Sequence, residues 1–184
     1  MTTQLPDIVD YKNKDYDLAG ISNDGLFQPK DYSMRPWGER DDCNRGYVAS
    51  YAVVGQRLFL EELKINLEDD KPPLQIAVAS IGDARFNSSY LDIHMPISYC
   101  GGLLIATGFI EALNSHKGFH SAWKYDEAHE LKFERGRVTS ATDVSELVRG
   151  FRKEMRGSPL QPNGATLKER ASWADRYYSR RYKL

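Results

Sequence analysis

One stretch of the sequence decides the fold: residues 43–67 read CNRGYVASYAVVGQRLFLEELKINL. Tyr, Val, Phe and Ile dominate it, and Gly55-Gln56 interrupts it near the middle, which predicts a β-hairpin. In the second half, every other residue is apolar, but the apolar positions change from even-numbered (Leu58, Leu60) to odd-numbered (Leu63, Ile65, Leu67). An extra residue at Glu61-Glu62 restores the register, so we predict a β-bulge there. Because a long bulged strand bends a sheet, the hairpin predicts a curved antiparallel sheet.

Strand-like patterns recur along the first 141 residues, separated by Gly, Pro and Asn. They cover residues 8–18, a predicted hairpin turning at Asn13-Lys14, and residues 74–80, 90–97, 103–106 and 123–141. We expect the first hairpin to lie at a sheet edge, protected by Lys12 and Lys14. Cys100-Gly101-Gly102 predicts a turn between two strands, and Glu134-Arg135-Gly136-Arg137 predicts a tight hairpin.

The order of these elements predicts the fold class. Strands with short local connections come first and helices follow, without the strand–helix alternation of a parallel sheet. We therefore predict a mainly β fold, namely a curved antiparallel meander that is barrel-like and carries C-terminal helices. Between the strands, residues 19–42 form a long irregular segment that Phe27, Tyr32 and Trp37 are expected to hold against the surface.

The chain divides into a domain, a linker and an arm. Residues 1–156 form the predicted β-rich domain, and residues 143–156 form its covering helix, which opens with a capping box at Asp143-Val144-Ser145-Glu146. Five apolar residues at helical spacing predict the packing face of that helix: Val144, Leu147, Val148, Phe151 and Met155. Residues 157–164, with two Pro and two Gly, predict a linker, and residues 165–184 predict a basic, aromatic helical arm.

Composition limits the classes of function. The 184 residues are 41% hydrophobic, which suffices for a packed core, and the formal net charge of −1 argues against a polyanionic partner. No segment approaches the ~20 apolar residues that cross a bilayer, so no membrane association is expected. Because two cysteines, Cys43 and Cys100, are too few for a disulfide framework, we expect both to be unpaired and the protein to be cytoplasmic.

Metal binding has one candidate pair in the sequence. His116 and His120 lie four residues apart, a spacing that places two histidines on one face of a helix. Gly118 lies between them, however, and the glutamate of a metalloprotease motif is missing. We therefore expect no metal and no other cofactor.

Catalytic motifs are also weak. Cys43 with one of the histidines His94, His120 and His129 is a possible nucleophile pair, but no Gly-x-Ser-x-Gly elbow occurs. The adjacent carboxylates of Glu61-Glu62 point to opposite faces of a strand and cannot share a proton. We assign no catalytic residue.

Several motifs in combination carry a resemblance. They are Cys43–Tyr47 at the start of the hairpin, a Gly-Gly turn before an aliphatic strand that ends at Phe109-Ile110, His116–Phe119, and His129–Arg137. Over about residues 8–150, this set resembles a family of uncharacterised bacterial β-rich proteins with a Cys-x-Arg-Gly-Tyr hairpin motif. Asn44 departs from that pattern, which favours an aromatic residue there. The resemblance implies a β-rich bacterial domain and no particular activity, cofactor or catalytic residue.

The C-terminal arm carries the clearest charge asymmetry. From Asp143 to the C-terminus, ten Lys and Arg stand against five Asp and Glu, so this part has a net charge of +5 and the first 142 residues carry −6. The expected interaction residues of the arm are basic and aromatic: Arg170, Trp173, Tyr177, Tyr178, Arg180 and Arg181. Such residues can stack on single-stranded nucleic acid, but we expect them to pack on an acidic protein surface.

These observations predict a non-enzymatic binding or interaction domain that self-associates. We expect the arm to pack on the partner subunit of a homodimer, with folding back onto its own sheet as the alternative. Two other functions stay open: a barrel that binds a small apolar ligand, and an unrecognised hydrolase. Large residues expected to point inward, Tyr47, Tyr51 and Phe59, would fill the interior that an apolar ligand requires.

Overall fold

The computed structural model describes residues 3–38, 40–68, 71–75, 77–114 and 118–156. These residues form ten strands and one α-helix: β1 (Ile8–Asp10), β2 (Asp15–Ile21), β3 (Tyr47–Val54), β4 (Arg57–Ile65), β5 (Ser80–Ile81), β6 (Ser88–Tyr90), β7 (Met95–Pro96), β8 (Gly101–Phe109), β9 (Tyr125–Glu134), β10 (Arg137–Asp143) and α1 (Ser145–Arg156). Three short 3₁₀ helices connect them: Pro29–Tyr32, Glu111–Leu113 and Ala122–Lys124. The predicted linker and arm, residues 157–184, lie outside the described residues.

The strands form one sheet that closes on itself. The order is β10-β9-β8-β2-β1-β3-β4-β6-β5, and β7 also pairs with β4. The ring closes where β10 meets β4, at the pair Arg137–Arg57, and backbone bonds from Leu58 N to Gly136 O and from Val138 N to Gln56 O continue the contact (both 2.9 Å). The predicted fold class, mainly β with a curved, barrel-like sheet, is confirmed. One pairing, between β1 and β3, is parallel.

The central hairpin forms as the sequence predicts. Gly55 and Gln56 occupy its two-residue turn with positive φ angles of 54° and 65°, the geometry whose twist matches the flanking strands. Ser50 pairs with Glu62 and the next residue, Tyr51, pairs with Leu60, which leaves Glu61 as the extra residue of a bulge. The bulge lets Leu60 and Leu63 face the same core in spite of their opposite parity.

Large side chains fill the interior of the closed sheet. Its largest fully buried members are Leu18, Met34, Leu58, Leu60, Leu63, Ile65, Leu74, Tyr90, Ile93, Tyr99 and Leu103. Tyr47 and Tyr51 point into this core as predicted, but Phe59 does not, since it lies half-buried between the inward residues Leu58 and Leu60. The core therefore contains aromatic and aliphatic side chains from nearly every strand.

The first hairpin lies inside the sheet, so its predicted edge position is wrong. β1 pairs with β3 and β2 pairs with β8, which leaves neither strand at an edge. The tight turn falls at Lys12 and Asn13, both with positive φ, one residue earlier than predicted. Lys14 instead forms an ion pair with Glu127.

Two predicted strands are shorter than their sequence patterns suggest. In residues 74–80 the structure has a bridge between Leu74 and Ala77, and β5 begins only at Ser80. Residues 90–97 split between the end of β6 and β7 because Asp92 and His94 adopt positive φ angles of 51° and 47°. This break lies opposite the bulge, where Ile93 N donates to Glu61 O (3.0 Å).

Gly101 and Gly102 also differ from the prediction, because they are the first residues of β8 and form no hairpin turn. Gly101 has a φ of +148°, and a Cβ at this position would lie 2.7 Å from Tyr99 Oη. The positive φ and the nearby Tyr99 hydroxyl therefore both favour glycine at this position. The tight turn predicted near Gly136 is confirmed between β9 and β10.

Helix α1 covers the outer face of β8 and β9 and does not enter the barrel. The helix begins at Ser145, two residues later than predicted, because Asp143 still belongs to β10. Asp143 Oδ1 accepts a hydrogen bond from Ser145 N (2.9 Å), whereas Glu146, the predicted second member of the capping box, pairs with Arg149. Val144 and Val148 are buried in a second apolar cluster with Leu104, Ala106, Trp123, Tyr125 and Ala128. Among the described residues, no helix is long and apolar enough to cross a membrane.

The predicted packing face of α1 is partly wrong. Leu147 and Phe151 are 56% and 41% exposed, whereas Arg152 is buried. Arg152 donates from Nε to Trp123 O (2.8 Å) and from Nη2 to Tyr125 O, so it satisfies two carbonyls beneath the helix. The buried stripe is therefore centred on Val148 and Arg152, and two apolar side chains remain at the surface.

Candidate functional site

Of the two histidines predicted as metal candidates, the structure describes only His120. His116 lies outside the described residues. His120 stacks on Phe109 with ring centroids 4.3 Å apart, and its Nδ1 lies 3.4 Å from Lys124 Nζ. Burial lowers the pKa of this lysine to about 8. Where the structure describes the chain, it places no group of three or more His, Cys, Asp or Glu that could hold a metal ion.

The cysteines and the adjacent carboxylates occupy separate environments. Cys43 is buried and its Sγ donates to Tyr47 O (3.4 Å), and burial raises the pKa of its thiol. Cys100 is exposed, and both cysteines are free, which confirms that they are unpaired. Glu61 Oε2 lies 2.5 Å from His94 Nδ1, while Glu62 pairs with Lys64 at 3.5 Å. These contacts give no shared catalytic centre.

One polar cluster, missed from the sequence, is organised around Glu127. Its carboxylate accepts hydrogen bonds from Lys14 Nζ and Tyr16 Oη (both 2.6 Å) and lies 3.2 Å from His129 Nε2. The bonds from Lys14 and Tyr16 lower the pKa of Glu127 to about 2. Burial and the neighbouring Glu127 raise the pKa of Tyr16.

The chemistry of the Glu127 cluster is that of a fixed ion network. The rings of Tyr11 and Tyr16 lie 5.9 Å and 5.6 Å from the His129 ring, which limits the orientation of the imidazole. A carboxylate that orients a histidine is one half of a hydrolytic triad, but a nucleophile must bond to that histidine. Among the described hydrogen bonds of this cluster, none involves a serine hydroxyl or a thiol. The bond from Tyr16 to Glu127 therefore links β2 to β9, and we assign the cluster a structural role.

A second feature missed from the sequence is the open edge of β5. This strand ends the strand order, and β6 is its partner within the described part of the chain. Ile81 pairs with Ser88, and the following residue, Gly82, donates its N–H to Asn87 O (3.2 Å). Hydrogen-bonded and non-hydrogen-bonded pairs alternate in an antiparallel ladder. Ile81 is therefore a non-hydrogen-bonded partner of β6, and its N–H and C=O point to the open edge.

The open edge is also apolar. Ile81 is 94% exposed, and the apolar residues Val78, before β5, and Leu91, after β6, are exposed as well. An edge with free backbone groups and apolar side chains is a template for strand pairing. The sequence pattern that would predict this edge strand is weak, since Ile81 is a single apolar residue between Ser80 and Gly82.

The predicted interaction residues of the arm, which begin at Arg170, lie outside the described residues. Comparison of the chain with known protein families, with curated protein sequences and with solved structures gave no match. Among the described residues, the open edge of β5 and the exposed residues of α1 are candidate interaction surfaces.

Proposed function

We propose that this protein is a self-associating interaction domain that binds a second copy of itself through the open edge of β5. The observation that carries the proposal is Ile81, whose side chain is 94% exposed and whose backbone groups face outward from the last strand of the sheet. A second copy offers the same edge. When two such edges meet antiparallel, each Ile81 N–H finds a C=O acceptor on the other copy, because each edge supplies one donor and one acceptor.

The pairing has a simple geometry. With a twofold axis beside Ile81, the N–H of each copy donates to the Ile81 C=O of the other, and the two Cα atoms lie about 5.5 Å apart. An interface of this kind is isologous, so it closes after two subunits and does not propagate into a fibre. The Ile81 side chains then lie next to each other and bury part of their apolar surface.

The contact is short, and a larger surface would stabilise it. β5 has two residues, so pairing at this edge alone buries less than the roughly 1,200 Å² of a stable interface. The arm, residues 165–184, has six Lys and Arg against two Asp and Glu and follows a domain that is acidic up to residue 142. Charge attraction between the arm of one copy and the body of the other extends the contact, and it weakens in high salt.

The two alternative functions have less support. An apolar ligand needs an empty interior, but large buried residues such as Leu60, Tyr90 and Tyr99 occupy the inside of this sheet. A hydrolase needs a nucleophile beside its histidine, and the described hydrogen bonds of His129 join it to Glu127 alone. The filled interior and the ion pair of His129 with Glu127 both favour an interaction domain.

Sedimentation velocity over a wide range of protein concentration tests the proposal. The variant Ile81→Lys places a charge at the centre of the predicted interface, and Val54→Lys is the matched control, because Val54 is an exposed β-branched residue at the tip of the central hairpin. We expect the wild type and Val54→Lys to dimerise and Ile81→Lys to stay monomeric, and we expect all three to melt at the same temperature at concentrations below the range of association. A monomeric wild type, or an Ile81→Lys variant that dimerises like the wild type, would contradict the proposal.

A further inference from the structure

The last strand of the barrel has an open edge of its own. β10 meets β4 at Arg137, opposite Arg57, which is the first residue of β4. Because the two strands are antiparallel, β10 continues past the end of β4, and residues 139–143 have β9 as their partner strand within the described part of the chain. All five of these residues are exposed. This segment, the β10 edge, takes no part in the contact through β5.

The backbone of the β10 edge offers hydrogen-bond donors and acceptors. Val144 N donates to Ala128 O (2.9 Å), so the pair before it, Asp143 and His129, is a non-hydrogen-bonded pair of the ladder. Because the two kinds of pair alternate, Ala141 has the same position in the ladder. The N–H and C=O of Ala141 therefore point away from β9, and no described residue bonds to either group. The N–H of Asp143 points the same way.

The side chains of the β10 edge indicate what it can pair with. Residues 139–143 read TSATD and contain neither Lys nor Pro, two residues that commonly protect an exposed edge. An extended segment that adds to such an edge gains main-chain hydrogen bonds, and the side chains beside it set the preference. Asp143 carries the only charge of the five residues, so a segment with basic residues fits best.

The arm contains a segment of this chemistry. Residues 165–175 read ATLKERASWAD and consist mostly of helix-forming residue types. Residues 177–183 read YYSRRYK, with three tyrosines, a strand-forming residue type, and three basic residues. Seven residues extend over about 23 Å in a strand, which is longer than the roughly 17 Å of the β10 edge.

We propose that the β10 edge of each copy pairs with residues 177–183 from the arm of the other copy. The inference rests on the proposed self-association, because it names the place on the body that receives the arm. Residues 157–176 span up to about 65 Å when extended, more than the ~40 Å diameter of a domain of this size. A symmetric dimer contains two such pairings, which add the buried surface that the contact through β5 lacks.

Hydrogen exchange at single amides tests the proposal in the full chain. Ala141 N–H faces the β10 edge, whereas Thr142 N–H faces β9 and is the internal control. We expect exchange at Ala141 to slow about tenfold or more as the protein concentration rises through the range of association, while exchange at Thr142 stays constant. An Ala141 amide that exchanges equally fast at every concentration would overturn the proposal. Equal protection of Ala141 in the monomer would overturn it too, because the arm of the same copy would then be the partner.

Two proline variants decide whether the arm is responsible. Tyr178→Pro/Ser179→Pro removes two adjacent N–H groups, one of which faces β10 in either register, and it keeps every basic residue of the arm. Gln161→Pro/Asn163→Pro adds two prolines to the linker and is the matched control. We expect the arm variant to lose the slowing at Ala141 and the linker variant to keep it. Slowing that persists in the arm variant, or that is lost in both variants, would overturn the proposal.

The amide of Ile81 separates this test from that of the proposed function. Ile81 reports the contact through β5, and Ala141 reports the arm. If exchange slows at Ile81 alone, the arm proposal fails and the contact through β5 stands. If exchange slows at Ala141 alone, and only with an intact arm, the contact through β5 fails and the arm proposal stands.

Discussion

The buried ion pair between Asp7 and Arg45 offers a quantitative test of how the barrel is held together. Arg45 donates two hydrogen bonds to the Asp7 carboxylate (2.8 and 2.5 Å), which also accepts from Ala49 N at 2.8 Å. The side chains are 21% and 5% exposed for Arg45 and Asp7. Burial lowers the pKa of Arg45, but the charge and hydrogen bonds of Asp7 outweigh this and raise it above its ordinary value. The pair fixes the segment before β1 to the start of β3.

The perturbation is Asp7→Asn, which keeps the shape of the side chain and removes its charge. Because the Arg45 charge is then left buried without its counter-ion, we expect the free energy of unfolding to fall by about 3–5 kcal/mol. For a chain of this length, that loss corresponds to about 6–20 °C in melting temperature. The free energy of unfolding of such a domain is about 5–15 kcal/mol. A loss of about 3–5 kcal/mol is therefore a large fraction of the total stability.

Urea unfolding followed by tryptophan fluorescence measures the loss. Glu146→Gln is the matched control, since it makes the same carboxylate-to-amide change in an exposed pair with Arg149, and we expect it to cost less than about 1 kcal/mol. The double variant Asp7→Asn/Arg45→Met should cost less than the sum of the two single variants, because it leaves no buried charge. If Asp7→Asn costs no more than Glu146→Gln, the reasoning is wrong.

Three further predictions concern a carboxylate, the thiols and helix α1. Because the folded pKa of Glu127, about 2, lies below the ordinary 4.5, its stabilising contribution is complete above about pH 4.5 and is lost as the pH falls to about 2. The difference in unfolding free energy between wild type and Glu127→Gln should therefore shrink to zero over this range in urea titrations. A thiol reagent should label Cys100 in the folded protein and label Cys43 only in denaturant, as mass spectrometry can show. Val148→Ala should cost about 2 kcal/mol in urea unfolding, and Leu147→Ala less than about 0.5 kcal/mol.

Each of these three has a contrary result. A Glu127→Gln difference that is independent of pH would show that the ion network contributes no stability. Equal labelling of both thiols in the folded protein would place Cys43 at the surface. Equal losses of unfolding free energy for Val148→Ala and Leu147→Ala would show that Leu147 is packed, as the sequence predicts.

The features that the sequence predicts well depend on neighbours along the chain. The two-residue turn at Gly55, the bulge at Glu61 and the capping carboxylate of Asp143 before α1 each follow from a few adjacent residues. Their physical causes are local, namely positive φ, side-chain alternation and a capping carboxylate. The sequence alone therefore suffices to predict a mainly β, barrel-like fold.

The features that it misses depend on contacts between distant segments. The parallel pairing of β1 with β3 carries no local signal, and it places the first hairpin inside the sheet. Arg152 replaces Leu147 on the buried side of α1 because two carbonyls beneath the helix require donors. The open edge at Ile81 depends on how early β5 ends.

The central claim, self-association through β5, is tested most directly by hydrogen exchange at single amides. Ser80 N–H faces β6 within the same subunit, whereas Ile81 N–H faces the open edge. We predict that exchange at Ile81 slows as the protein concentration rises through the range of association, while exchange at Ser80 stays constant. An Ile81 amide that exchanges equally fast at every concentration would contradict the account.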